Sequence, residues 1–183
     1  MPYKLMHITG RREEFSGVPR AREEMSIVEE RPDLSFLMDM IERVGKDSQW
    51  SKRAEYFDPG YMSDLKQRVE STSSHLYLFK KSGKTIGFCQ TLQCQDGVVS
   101  VDEQGRPVTE IYKVGLFPEY RGRGMGHFYV AAVLSEIFKG DNVVYLNTRD
   151  SNKVNSVNFY CRMGLNVIGV ETKSDDPVIK TGS

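Results

Sequence analysis

Apolar residues recur along the chain with two different periods, and the change between them organises it. After Pro32, the residues Leu34, Leu37, Met38 and Ile41 follow the i, i+3, i+4, i+7 spacing of an amphipathic helix. Asp33 is placed to cap that helix and Gly45 to end it. Asp58-Pro59-Gly60 reads as a turn, and 61–70 as a short second helix. The polar break Ser71-Thr72-Ser73-Ser74 is too short to link two domains. The period then becomes two. Segments 75–80 and 85–93 are predicted strands joined by Ser82-Gly83, a hairpin signal, and 108–116 is a further strand stopped by Pro118.

The helical period returns over 124–139, where Val130, Val133, Leu134 and Ile137 make a stripe that Gly140 ends. Residues 143–146 read as a short buried strand, 151–163 as a helix ended by Gly164, and 165–171 as a last strand. A first strand is predicted over 3–8. The stretch that follows is charged and unpatterned, and its pairs Glu13-Glu14, Glu23-Glu24 and Glu29-Glu30 read as solvated faces. Residues 96–107 read as a loop or an outlying hairpin. With no repeats, helices early, hairpins in the middle and β-α-β-α-β at the end, the order predicts one α/β domain of the α+β type over 1–183.

Composition narrows the function classes. Of 183 residues, 39% are hydrophobic and 27% charged, enough apolar material for a core. Twenty-five basic residues balance twenty-five acidic ones, so the basic excess of a dedicated nucleic-acid binder is missing. The longest apolar run, 128–134, falls far short of the ~20 residues that span a bilayer. With no apolar leader after Met1, a soluble, cytoplasmic protein is expected. Cys89, Cys94 and Cys161 show no C-x-x-C spacing and read as free thiols. His7, His75 and His127 form no ligand pair, so no metal site is expected.

The chemistry concentrates in 114–126, where a strand runs into a basic loop and then a helix start. Gly122, Gly124 and Gly126 alternate, which lets backbone approach a ligand without Cβ obstruction. The first helical turn leaves N–H groups unpaired, and the helix dipole adds ~0.3–1 kcal/mol for an anion there. Those terms suit a pyrophosphate. A Walker-type loop is excluded because no Lys-Ser or Lys-Thr follows the glycines. A G-x-G-x-x-G fingerprint fails at His127.

The segment matches Arg-x-x-Gly-x-Gly through Arg121, Gly124 and Gly126, and here the chain resembles the GNAT superfamily of acyl-CoA-dependent N-acyltransferases. The second half of the resemblance is Asn152, Ser156, Phe159-Tyr160 and Gly164-Leu165. It implies a mixed, mostly antiparallel sheet flanked by helices, whose strands through Val114 and Val143 splay to admit pantetheine. Acetyl-CoA is then the co-substrate. Backbone of Val114 and Leu116 would pair with the pantetheine arm. Arg121, Gly122, Arg123, Gly124, Met125 and Gly126 would hold the pyrophosphate, with Asn152 a further contact. Residues 75–171 become the acyl-CoA-binding core and 1–70 the acceptor-side helices.

An amine of pKa near 10.4 is almost all ammonium at pH 7, and freeing its lone pair costs about 4.6 kcal/mol. Glu110 is the candidate general base, on one strand face with Tyr112 and Val114. Tyr160 is the candidate general acid for the departing thiolate. Val154, Val157 and Cys161 are predicted to form the buried stripe of its helix, leaving Tyr160 about 95° to the side. Gly115 signals either a β-bulge with a free N–H or crowding by a neighbouring element. Trp50 and Tyr56 could line an acceptor pocket. The expected activity is direct acetyl transfer to a small-molecule or peptide amine. The alternatives are a non-catalytic acyl-CoA-binding module and a toxin-like enzyme acting on charged tRNA, for which Arg11, Arg12, Arg20 and Arg22 could form a local basic patch. Oligomeric state, a homodimer included, stays open.

Overall fold

The computed structural model describes residues 3–17, 24–31, 33–45, 59–70, 73–93, 104–150 and 156–173. The predicted hairpin is strand β3 (Ser74–Lys81) against β4 (Lys84–Gln93). Ser82 and Gly83 turn it with φ of 47° and 78°, the doubly positive geometry that matches strand twist. On one side of the hairpin lies β2 (Met25–Glu30), and on the other β5 (Val108–Leu116). The sheet continues through β6 (Val143–Asp150), β1 (Tyr3–Gly10) and β7 (Asn166–Lys173), in the order β2-β3-β4-β5-β6-β1-β7. Among the described strands only β5 and β6 run parallel, so the sheet is mixed and mostly antiparallel.

Among the described residues, four α-helices cover it. Helices α1 (Leu34–Gly45) and α2 (Pro59–Glu70) pack Leu37, Ile41, Val44, Leu65 and Val69 on Leu76, Leu78 and Phe88. Helices α3 (Met125–Ile137) and α4 (Ser156–Cys161) pack Tyr129, Val133, Leu134 and Tyr160 on the other face, over Ile8, Phe79, Cys89, Ile111, Val144 and Leu146. Alternate strand residues therefore feed two cores, as the pleat requires.

Several expectations change, and Pro59 and Gly60, read as part of a turn, are the first residues of α2. Strand β2 occupies the stretch read as unpatterned. It is a sheet edge whose last three residues are all exposed, so only Met25 and Ile27 mark its inner face, too short an alternation to stand out in the sequence. The bulge in β5 lies at Tyr112 rather than Gly115: Thr91 pairs with Ile111 and Gln90 with Lys113, leaving Tyr112 as the extra residue. That extra residue reverses the alternation beyond it. Glu110 and Tyr112 stay on the α1/α2 face, while Val114, packed with the α3/α4 core, has crossed to the other. Gly115 is explained by crowding, because a Cβ there would stand 2.4 Å from Val44 Cγ1.

The crowding yields a stability test. Gly115→Ala should cost about 1–3 kcal/mol by overpacking against α1. Combined with Val44→Ala, the loss should be smaller than the sum of the two single losses, because the second change vacates the space the first one needs. Chemical denaturation of the four proteins of the cycle reads this directly, and strict additivity would show that the contact does not constrain α1.

Candidate active site

The parallel ladder between β5 and β6 is short. It runs from Val108–Val143 to Ile111–Leu146 and stops, although β5 continues to Leu116 and β6 to Asp150. The strands therefore part at the Tyr112 bulge, and half-buried Val114 and Leu116 line the diverging edge of β5. A chain of CoA-pantetheine thickness needs an opening of this kind in a sheet.

Beyond Leu116 the chain buries Phe117, makes one 3-10 turn over Pro118–Tyr120 and enters the glycine loop. Gly122 and Gly124 have φ of 72° and 71°, a conformation that a side chain disfavours. Open space surrounds both positions, so it is backbone conformation that calls for glycine there. Gly124 is the N-cap of α3 and supplies no side-chain cap, which leaves the first N–H groups of the helix facing the loop. Met125 is buried beneath them, and a Cβ at Gly126 would stand in ordinary van der Waals range of Leu116 and Phe159. The exposed backbone at 122–124 and the helix start could cradle an anion.

The two arginines of the loop divide their work. Arg121 turns back: its Nε donates to Leu116 O at 2.9 Å and its terminal nitrogen donates to Val44 O in the last turn of α1. A cation on helix C-terminal carbonyls is favourable, so Arg121 ties loop, strand and helix together. Arg43 adds to this joint by lying 3.7 Å over the Phe117 ring. Arg123 is left as the exposed cation of the cradle.

On the α1/α2 face, Glu110 meets Arg68 of α2 at 3.4 Å, and Arg68 also holds Asp64 at 2.8 Å. The Arg68 guanidinium lies 4.4 Å over the Tyr112 ring. Burial pushes the Glu110 carboxyl above its ordinary pKa, and Arg68 offsets part of that rise. Its side chain keeps 19% exposure, so a small ligand can reach it.

Tyr160 lies on the opposite face. The sequence expectation for α4 is reversed: Tyr160 is buried at 6% and Cys161 is exposed, so the tyrosine points inward and the cysteine outward. Burial, with Cys89 nearby, raises the phenol's pKa well above its usual value and keeps it protonated. Asn152, Trp50, Tyr56 and Cys94 fall outside the described residues. Sequence reasoning missed Arg68, whose i, i+4 spacing from Asp64 was its only visible mark. It also missed His7, Tyr145 and Asn147, which gather beside Glu110 only once strand order is known. Among the described residues no group of three or more His, Cys, Asp or Glu could hold a metal ion, and no helix is long and apolar enough to cross a membrane.

Comparison with known proteins follows the same lines. The acetyltransferase (GNAT) family model matches residues 39–165. No curated protein matches the sequence. Among solved structures, a functionally unknown conserved protein from Staphylococcus epidermidis aligns with a TM-score of 0.58 and 15% identity, over 94% of this chain and 60% of its own. A GCN5-related N-acetyltransferase from Kribbella flavida aligns with a TM-score of 0.53 and 15% identity, over 90% of this chain and 54% of its own. An aminoglycoside acetyltransferase from an uncultured soil metagenomic sample aligns at 0.53 and 13% identity, over 76% and 90% respectively. The chain thus spans little more than half the length of the first two. At these identities the likeness is one of fold.

The division between the arginines can be measured. Arg121→Met should lower the melting temperature by roughly 2–6 °C through loss of its carbonyl partners. Arg123→Met should leave it within a degree or so, as expected of an exposed side chain. Its effect should appear instead as weaker CoA binding by calorimetry. The opposite pattern would reverse the two assignments.

Proposed function

Because the chain belongs to the acetyltransferase (GNAT) family, we propose that it moves an acetyl group from acetyl-CoA to a primary amine by direct attack, without an acyl-enzyme. The observation that carries this reading is the parting of β5 from β6 after Ile111–Leu146, directly ahead of the glycine cradle. Acetyl-CoA supplies the activated thioester. The chain's residues hold it, accept protons from nitrogen and return one to sulfur. Arg123, the backbone of 122–126 and the N-terminus of α3 take the pyrophosphate, and Arg121 holds that loop in place. The edge of β5 at Val114 and Leu116 takes the pantetheine arm. The exposed free thiol of Cys161 fits a reducing, cytoplasmic setting.

Glu110 is the base. Its raised pKa makes it a stronger proton acceptor than an ordinary carboxylate, and Arg68 keeps it from becoming neutral. Tyr160 is the acid, since a phenol that stays protonated can donate to a thiolate whose conjugate acid lies near 8.5. Their opposite faces suit the geometry of displacement. The amine approaches on the Glu110 side while the sulfur departs toward Tyr160. The acceptor is a small-molecule or peptide amine, and aminoglycosides belong in the panel because one structural neighbour acts on them.

Release of free thiol from acetyl-CoA across a panel of polyamines, amino acids, aminoglycosides and peptides tests the reading. CoA binding without release in any case would leave only a binding module. At a hundredfold excess over Kd, CoA should stabilise the fold by about 2.7 kcal/mol. Gly124→Asp should remove that gain, because it sets a carboxylate where the phosphate approaches.

The acid and base separate by pH. Glu110 acts only when ionised, so with its pKa raised, kcat/KM should fall as pH drops through a value above the usual glutamate range. Glu110→Gln should lose roughly 10²-fold or more at pH 7 and recover at high pH, where solvent deprotonates the amine. Tyr160→Phe should lose about 10-fold or more without such recovery. A pH-independent loss in Glu110→Gln, with a lowered melting temperature, would assign Glu110 to structure alone.

A further inference from the structure

A second array of titratable groups stands on the Glu110 face of the sheet, and backbone register puts it there. Tyr145 is the parallel partner of Glu110, one pair before the ladder ends. Asn147, two residues further along β6, is the antiparallel partner of His7 in β1. Ile8, Val144 and Leu146 belong to the α3/α4 core, so the alternating residues His7, Tyr145 and Asn147 take the face that carries Glu110. His7 Nδ1 lies 2.7 Å from Tyr145 Oη, and Tyr145 Oη lies 2.8 Å from Asn147 Oδ1. His7 Nε2 faces Glu171 of β7 at 3.6 Å. The β1–β7 ladder is irregular at this point, with His7 opposite Gly169 and Ile8 opposite Val167. Such irregularities re-aim side chains beside functional sites.

The Tyr145 hydroxyl has one proton and two possible acceptors, Asn147 Oδ1 and His7 Nδ1, and donates to one of them at a time. With neutral His7 protonated on Nε2 toward Glu171, its Nδ1 accepts from the Tyr145 hydroxyl. With His7 cationic, Nδ1–H donates to Tyr145 Oη, and the hydroxyl turns to Asn147 Oδ1. A single proton gained by the imidazole thus reverses the chain of hydrogen bonds. The groups facing His7 among the described residues are Tyr145 and Asn147 of β6 and Glu171 of β7. Glu110 lies one strand further on. On β1 itself the neighbours Leu5 and Thr9 are uncharged, and Thr9 donates to Val144 O.

Acetylating an ammonium removes two protons from nitrogen, one to free the lone pair and one as the N–C bond forms. Glu110 accommodates only one of them. We propose that the Tyr145–His7–Glu171 array is a proton relay that accepts the second. This rests on the acetyl-transfer reading above. Tyr145 touches the amine and is the catalytic member, while His7 and Glu171 are positioning residues. As nitrogen bonds to the acetyl carbon, its proton passes to Tyr145 Oη and the hydroxyl's own proton passes to His7 Nδ1. The electron pair of the broken N–H bond remains on nitrogen. Glu171 balances the imidazolium until it releases its proton to water, and the thiolate takes its proton from Tyr160. No oxidant or reductant is required.

The test combines kinetics with nitrogen NMR of the whole chain. Tyr145→Phe and His7→Gln should each lower kcat by about 10-fold or more at pH 7 with the KM for acetyl-CoA unchanged. The double variant should be no worse than either single one, since the residues act in series. Free imidazole should restore part of the activity of His7→Ala, which a structural role would not allow. In the resting protein, neutral His7 should carry its proton on Nε2. Finding it on Nδ1 overturns the relay. So does full activity in Tyr145→Phe and His7→Gln while Glu110→Gln is impaired, an outcome that leaves acetyl transfer standing. A wild-type chain that binds CoA but acetylates no amine overturns both.

Discussion

The parallel ladder between β5 and β6 sets the constraint on which the site depends. Two parallel strands joined through α3 would ordinarily stay paired along their common length, because every backbone N–H and C=O has to find a partner. Here register is kept through Ile111–Leu146 and then abandoned, with the extra residue Tyr112 placed where pairing ends. The bulge changes which face each later residue of β5 serves. It leaves Glu110 on the face covered by α1 and α2 and turns Val114 to the core beneath α3 and α4. An opening in the middle of a sheet is costly in backbone hydrogen bonds, and a ligand with its own amides, such as pantetheine, can restore them.

The opening is held from one side by α1. Val44 meets the bare Cα of Gly115, its carbonyl receives Arg121, and Arg43 covers Phe117. Three residues around one helix end thus fix the strand, the buried turn and the glycine loop relative to one another. This arrangement explains why Arg121, unlike Arg123, turns back from the glycine loop toward β5 and α1. A loop made of left-handed glycines has little stiffness of its own, and Arg121 supplies it from outside.

Much of this was legible in the sequence. The i, i+3, i+4 stripe of α1, the Ser82-Gly83 hairpin, the bounds of β5 and the stripe of α3 all follow from periodicity and turn chemistry, and all appear in the fold. Strand β2 was not legible, because an edge strand is solvated on most of its surface and need not alternate. The inward turn of Tyr160 was not legible either: a stripe counted from Val154 gave the inward place to Cys161. The bulge at Tyr112 leaves no mark in residue type, since it is fixed by which strands flank β5. The array around His7 is the clearest case. Its members share no motif and come from three strands that only the sheet order brings together.

The placement of β1 also has a consequence in time. His7 and Tyr145 are 138 residues apart in sequence, and β1 is held between two strands that come from the other end of the described chain. During synthesis β1 is made first, yet both of its partners are among the last elements to appear. Closing so long a loop carries an entropic cost that no local contact offsets, so the pairing of β1 is among the most non-local contacts of the sheet. The hairpin β3–β4 and helices α1 and α2 can form while the chain is still growing. The wall of the site that carries His7 cannot exist until β6 and β7 have been made, so a partly synthesised chain holds Glu110 and the glycine loop without that wall.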